Sequence, residues 1–339
     1  MPTRVLGYPL VIRPPGQCFK LQTLRRVRQS LLCSMILAGT FVHLCWTQDL
    51  APRAYLITPL HSNAVNLTYA FNTGGLDFNG VVPIAGATGT YSVPSISYYH
   101  AFGLFGRSAN VAASLPYGIG TFQGSVLGKN QQIYRSGLLD LGFRFSLNLK
   151  GGPAMPVSEF VKWKQKTVLG LSLKVIAPTG QYDPTKLINW GINRWAFKPE
   201  LGCSQRIGKW LLDGYGGVWF LTTNQKFFSI PTPQPQSQNP IASFEGHLSY
   251  DVKKFRGKAT PLWFSLDGNF WYGGATSIGG TSNPATRQTS SRIGVTAAMP
   301  LSRHQAIKTS FSTGDYVRFG GNYQNLSVSW QYSWLGRPN

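Results

Sequence analysis

The sequence predicts an all-β chain: an antiparallel transmembrane β-barrel of about twelve strands, with short periplasmic turns and long extracellular loops. Three observations carry the prediction. Segments of about ten residues alternate apolar and polar side chains, as a strand with one face in lipid and the other in water must. Twelve such segments occur from residue 64 onward, an even number that returns both ends of the barrel to one side. The connections between them alternate in length, short on one rim and long on the other.

The strands are expected at 64–71, 91–99, 108–115, 137–149, 168–177, 195–205, 210–221, 241–252, 261–272, 292–301, 305–313 and 324–334. The fourth is the strongest. Leu139, Leu141, Phe143, Phe145, Leu147 and Leu149 share one face, against Leu138, Asp140, Gly142, Arg144, Ser146 and Asn148. In 168–177, Leu169, Leu171, Leu173 and Val175 oppose Gly170, Ser172 and Lys174. In 241–252, Phe244, Leu248, Tyr250 and Val252 oppose Ser243, Glu245, His247, Ser249 and Asp251. The last strand sets Leu326, Val328, Trp330, Tyr332 and Trp334 against Ser and Gln. A soluble sandwich would also alternate, but it rarely places so many aromatics on one face.

Short connections fall at 100–107, 206–209, 253–260 and 302–304, and long ones at 72–90, 118–136, 178–194, 222–240, 273–291 and 314–323. One segment breaks the pattern: 150–166 is long where a short turn is due. The Pro/Gln tract 231–240 is expected to be an extended loop without secondary structure.

Composition agrees with a barrel. Charged residues are 13% of the chain, aromatics also 13%, and glycines number 38. Mean hydropathy is -0.09, too low for a helical membrane protein but compatible with strands that are apolar on one face only. Residues 1–48 read as an N-terminal extension and cleaved export signal: Arg25, Arg26 and Arg28 precede an apolar run at 31–44, and no acidic residue occurs before Asp49. Residues 49–63 are expected to be a periplasmic segment, 64–334 the barrel, and 335–339 a short tail. Cys18, Cys33 and Cys45 fall in the leader, leaving Cys203 alone and excluding an intrachain disulfide in the mature chain. The formal charge is +21, and about +15 without the leader.

Several short motifs resemble a known family. They are Asp49-Leu-Ala-Pro-Arg-Ala-Tyr55 with Pro59, Leu115-Pro-Tyr-Gly118, Gly137-Leu-Leu-Asp-Leu-Gly-Phe143, Ala177-Pro-Thr-Gly-Gln-Tyr182, and Asp213-Gly-Tyr-Gly-Gly-Val-Trp-Phe220 with Asn224. Together they resemble the outer-membrane transporter-like family labelled for the MetA pathway of phenol degradation. The resemblance spans nearly the whole mature chain. It implies a barrel of the outer membrane with a transport role and an aromatic solute, and it supplies no catalytic residues.

With the apolar face in lipid, the other face lines the lumen. Its charged residues are expected to be Asp140, Arg144, Lys174, Lys198, Glu200, Asp213, Glu245, His247, Asp251, Asp267, Arg292 and Lys308. Five are basic and six acidic besides the histidine, so the lumen is nearly balanced. Folding about 253–260 brings Asp267 close to Glu245 and His247, and folding about 150–166 brings Asp140 towards Lys174. Such pairs brace the inner wall or set pore selectivity. Trp210, Trp330, Tyr332 and Trp334 at the short-turn ends, with Tyr272 opposite, suit interfacial aromatic girdles. The surplus positive charge lies in the short connections, among them Lys150, Lys162, Lys164, Lys166, Arg206 and Lys209, where anionic headgroups would attract it.

The functional expectation is an exported outer-membrane channel passing small solutes passively, with aromatic and anionic compounds as candidates. Its partners would be outer-membrane lipid, the barrel-insertion machinery and the solute. Nucleic acid is not expected, because no basic helix or basic aromatic module is present. No cofactor or metal is expected, since no His/Asp/Glu cluster has ligand spacing. The alternatives are a barrel hydrolase built on His247, Ser249 and Asp267, and a structural or adhesive barrel without transport.

Overall fold

The computed structural model describes residues 50–76, 84–126, 128–229, 231–255 and 258–336, without side chains at 253–255 and 258–261. The leader and its cysteines, the side chains of the 253–260 turn and the last three residues of the tail lie outside the described residues. No helix among the described residues is long and apolar enough to cross a membrane.

The strands are β1 (Ser62–Gly75), β2 (Ile84–Leu104), β3 (Arg107–Val126), β4 (Lys129–Leu138), β5 (Leu141–Lys150), β6 (Thr167–Ala177), β7 (Ala196–Ile207), β8 (Trp210–Leu221), β9 (Asn224–Phe227), β10 (Gln234–Gln238), β11 (Ile241–Phe255), β12 (Lys258–Gly273), β13 (Thr276–Ile278), β14 (Thr281–Asn283), β15 (Gln288–Pro300), β16 (Gln305–Val317) and β17 (Asn322–Leu335). Twelve of them close an antiparallel transmembrane barrel in the order β1, β2, β3, β5, β6, β7, β8, β11, β12, β15, β16, β17. The last strand returns to the first, in register from Ser62↔Leu335 to Gly75↔Asn322. Each predicted segment has its own barrel strand, because a side-chain period of two is imposed wherever a wall separates lipid from interior. Large apolar side chains such as Leu67, Tyr69, Phe143, Leu171, Phe244 and Leu266 face outward, while their polar neighbours are buried inside.

Two connections carry structure that the sequence does not predict. The tract 231–240 is not an unstructured loop: β10 lies within it, between β9 and β13, in a separate four-stranded sheet with β14. Proline already holds the tract extended, and a register shift between Gln234 and Gln236 accommodates Pro235, which has no N–H to donate. The long 150–166 segment carries a short helix, α1 (Val157–Phe160), and bridges its surroundings. Ala154 N–H donates to the Gly106 carbonyl (3.1 Å), Ser108 N–H to Gly152 (2.9 Å), and Leu60 N–H to Met155 (2.9 Å). Its length therefore ties the β2–β3 turn and the N-terminal segment to the rim.

The strand expected at 137–149 is broken. β3 pairs with β4 above the break (Tyr117↔Leu138) and with β5 below it (Ser114↔Gly142). Leu139, Asp140 and Leu141 thus oppose only Leu115 and Pro116, a bulge of one residue. Pro116 explains it: its carbonyl accepts Leu139 N–H (3.1 Å), but it has no N–H to return. One extra residue exchanges the two faces. Leu139, expected in lipid, is buried inside, and Leu138, expected inside, is exposed.

Candidate functional site

The first described residues do not hang below the barrel as a periplasmic segment. They run inside it. Tyr55 is buried with its ring over Gly170 of β6 and Gly202 of β7, which face each other in register. A Cβ on Gly202 would lie 2.0 Å from the ring, and one on Gly170 2.3 Å, so the glycine pair forms its seat. Tyr55 OH donates to Glu200 Oε1 (3.0 Å) and lies 2.9 Å from Ser172 Oγ. The Arg53 guanidinium binds Asp251 (2.5 Å) and stacks 4.2 Å from the Trp263 ring. Backbone groups complete the hold. Arg53 N–H donates to Asp213 Oδ2 (3.0 Å), Ala54 N–H to Tyr215 OH (3.1 Å), and Arg144 Nη1 to the Ala54 carbonyl (3.2 Å).

The interior charges sort around this segment. Nearest the short turns, Asp251 is shared between Arg53 and Arg206. Arg206, expected on the basic rim, thus belongs to the anchor. Asp213 accepts from Ser204 Oγ (2.5 Å) as well as from Arg53. One layer up, Arg144, Lys174 and Lys198 stand opposite one another across β5, β6 and β7. Lys198 is buried and binds Glu200 (2.6 Å) and Glu245 (2.9 Å), while Arg144 reaches Glu200 at 3.8 Å. Lys174 Nζ and Lys198 Nζ each lie 5.8 Å from the Trp219 ring.

His247 stands between two carboxylates, with Nδ1 2.9 Å from Asp267 and Nε2 3.7 Å from Glu245. The expected proximity follows from the direct register His247↔Asp267. Asp267 also accepts from Ser265 Oγ (2.6 Å) and Thr296 Oγ1 (2.6 Å). Ser249 Oγ makes no hydrogen bond, so His247 and Ser249 do not form the relay a hydrolase would use. Arg292 donates to Ser312 Oγ (2.9 Å) and to the Tyr323 carbonyl (2.9 Å), stacked 4.1 Å from the Tyr323 ring. Lys308 stands opposite Ala298 and Ser329 and is exposed.

Asp140 is not where alternation places it. The bulge turns it away from Lys174, whose register partners are Arg144 and Lys198. Its carboxylate accepts Gly180 N–H (2.7 Å) and Ile192 N–H (2.7 Å), clamping the two ends of the loop 178–194. That loop carries Ile188 and Trp190 into an apolar cluster with Leu76, Ala87, Tyr91, Phe122 and Leu139. At the loop's tip, outside the wall, Lys186 and Thr185 hold the exposed Asp183 carboxyl well below the usual range. Asp140→Ala leaves two loop N–H groups without their acceptor, at a cost of about 1–3 kcal/mol. The expected result is protease cleavage within 178–194 that the wild type resists.

The aromatic residues expected to form girdles sit near strand ends. Trp330, Tyr332 and Trp334 stack along β17, with ring centroids 6.3 and 5.9 Å apart. Trp210 packs 4.7 Å from Tyr250, and Tyr272 at the opposite end carries Arg287 over its ring at 5.4 Å.

Arg53, Tyr55 and the Gly170–Gly202 pair escape a reading based on alternation. The segment before β1 has no periodicity, though two glycines facing each other on an interior face signal room for a ring.

The family model described as "Putative MetA-pathway of phenol degradation" matches residues 70–330. The chain belongs to this family. No curated relative matches it. Among solved structures it is similar to an outer membrane channel from Pseudomonas putida F1, with a TM-score of 0.66 at 17% identity, covering 84% of this chain and 100% of that one. Weaker similarities are to the β domain of the Bordetella autotransporter BrkA (TM-score 0.48, 12% identity, 81% of this chain and 100% of that one) and to the NanC porin (0.43, 6%, 79% and 98%). The chain thus has the fold of an outer membrane barrel.

Proposed function

We propose that this family member is an outer-membrane channel for passive passage of small solutes, held occluded by its own N-terminal segment. The observation that carries the reading is the segment threaded through the interior, anchored at Arg53 and Tyr55 on residues from β6, β7, β8 and β11. A structural or adhesive barrel needs no such removable obstruction. A hydrolase needs a His–Ser relay and has none at His247 and Ser249. The row Arg144, Lys174 and Lys198 favours anions at mid-lumen, tempered by Glu200 and Glu245. Trp219 beside two of those cations suits an aromatic acid as solute.

Reconstituted protein is expected to show single-channel conductance and liposome swelling with small solutes, aromatic acids entering faster than neutral sugars of the same size. Folded protein with neither conductance nor swelling overturns the reading.

A further inference from the structure

The outer wall carries polar chemistry of its own at the long-loop end of β12, β15 and β16. Alternation on β15 sends Gln288, Ser290 and Arg292 inward, where all three are buried, and leaves Arg287, Thr289 and Ser291 outward. Thr289 stands directly beside Tyr272 of β12. On its other side its carbonyl accepts Arg318 N–H (3.1 Å), one rung beyond Ser290↔Val317. The Arg287 guanidinium lies over the Tyr272 ring, 5.4 Å from its centroid. Two arginines therefore flank one rung. Neighbouring strands are about 4.8 Å apart, so the Cα atoms of Tyr272 and Arg318 are separated by about 10 Å. Both guanidiniums can reach the space above Thr289.

One rung down, Ser291 lies between Phe270 and Tyr316. Asp315 is the extra residue of a bulge there, and its carboxylate accepts from Ser291 Oγ (3.2 Å). Rings on β12 and β16 thus stand on either side of small side chains on β15, which leaves a furrow in the wall. Phe270, Tyr272 and Tyr316 are exposed, and the furrow runs from the arginines down to the exposed Ile293 and Val295. Arg287 and Arg318 are exposed too, and no carboxylate or carbonyl among the described residues accepts from either guanidinium. Arg292, on the same strand but pointing inward, has the Ser312 hydroxyl and the Tyr323 carbonyl. A guanidinium without a protein acceptor, at the edge of the hydrocarbon, is best served by an anion that takes two of its N–H groups, as phosphate does.

We propose that this furrow binds one molecule of the phosphorylated glycolipid of the outer leaflet. Arg287 and Arg318 clamp a phosphate above Thr289. Asp315, one rung lower, meets the sugar rather than the phosphate and accepts from a hydroxyl. An acyl chain then runs over Ser291 between Phe270 and Tyr316, continuing the lipid contact that the wall already makes below. The site lies on the outside of the barrel and stands whatever passes through the lumen.

The full chain, refolded without lipid and titrated with lipid A in detergent, is expected to hold one lipid A per barrel by native mass spectrometry. Arg287→Ala with Arg318→Ala weakens that binding by about tenfold or more, the value of one or two lost charge-assisted hydrogen bonds. Arg287→Lys with Arg318→Lys falls between, and Arg303→Ala at the opposite rim leaves it unchanged. Lipid A stripped of its phosphates binds the wild type only as well as lipid A binds the double alanine variant. Without lipid, both double variants keep the wild-type midpoint of heat-modifiable gel mobility, because neither guanidinium holds another part of the chain. A lipid-free midpoint that falls together with affinity assigns the arginines to the fold and overturns the site. Wild-type affinity in the double alanine variant overturns it, as does equal affinity for dephosphorylated lipid A. Phosphatidylglycerol bound as tightly as lipid A, or lipid A displaced by an equal concentration of inorganic phosphate, would mean a general anion patch and overturns the glycolipid.

Discussion

Replacing Arg53 and Tyr55 together by alanine is expected to raise the open-state occupancy of the reconstituted barrel about a hundredfold, or to saturation. The arithmetic rests on two charge-assisted hydrogen bonds that disappear with the side chains, Arg53 to Asp251 and Tyr55 OH to Glu200. Each is worth about 1.5–3 kcal/mol, and the lower end applies because Asp251 keeps Arg206 and Glu200 keeps Lys198. About 3 kcal/mol in total shifts a two-state equilibrium by roughly two orders of magnitude. Single-channel recording reads this as longer and more frequent open events. Tyr55→Phe keeps the ring on its glycine seat and loses only the hydroxyl's hydrogen bonds, so it should fall between wild type and the double variant. Conductance equal to wild type in the double variant would mean that the segment is not the limiting obstruction.

The barrel is legible in the sequence because lipid and interior impose a strict period of two, and no other force on these strands competes with it. The period fails where a backbone donor is missing. Opposite Pro116 the chain bulges by one residue, which exchanges the faces of Leu138 and Leu139 and turns Asp140 towards the loop 178–194, so alternation misplaces Leu139 and misses the partners of Asp140. The interior charges are legible for the same reason as the strands, and so is the His247–Asp267 pair within one hairpin, but partners beyond the adjacent strand are not. Lys198 pairs with Glu245 from β11, two strands away, and a cross-strand rule sees only immediate neighbours.

The motif residues that carry the family resemblance sit at contacts alternation cannot reveal. Tyr55 sits on the glycine pair, and Asp140 clamps a loop. Asp213 and Tyr215 hold the N-terminal backbone, and Asn224 joins Tyr182 (3.0 Å) and Asn193 (2.8 Å). Each joins segments remote in sequence, so their meaning lies in the closed barrel rather than in any one strand.

Lys198→Met is expected to be among the most destabilising single substitutions in the barrel wall. Glu245 is held by Lys198 at 2.9 Å and, more distantly, by His247 at 3.7 Å. Lys198 is also the nearer cation to Glu200, at 2.6 Å against 3.8 Å for Arg144. Removing it leaves two buried carboxylates facing each other across β7 and β11. Breaking a buried pair in this one-sided way costs about 3–5 kcal/mol, because the remaining charge has lost its compensation without regaining water. The midpoint of heat-modifiable gel mobility should fall accordingly. The triple change Lys198→Met, Glu200→Gln, Glu245→Gln removes the charges together, and neutral replacement of a whole buried cluster often costs little. It should regain most of the lost midpoint, since the amide introduced by Glu200→Gln still offers a carbonyl oxygen to Tyr55. The two variants also separate stability from selectivity. Both remove one cation from the Arg144–Lys174–Lys198 row, but only the triple variant removes the opposing carboxylates. Anion preference should therefore fall in Lys198→Met and recover in the triple variant, in parallel with the midpoint. A Lys198→Met protein that melts with the wild type would show that lumen water, rather than the ammonium, carries the charge of Glu200 and Glu245.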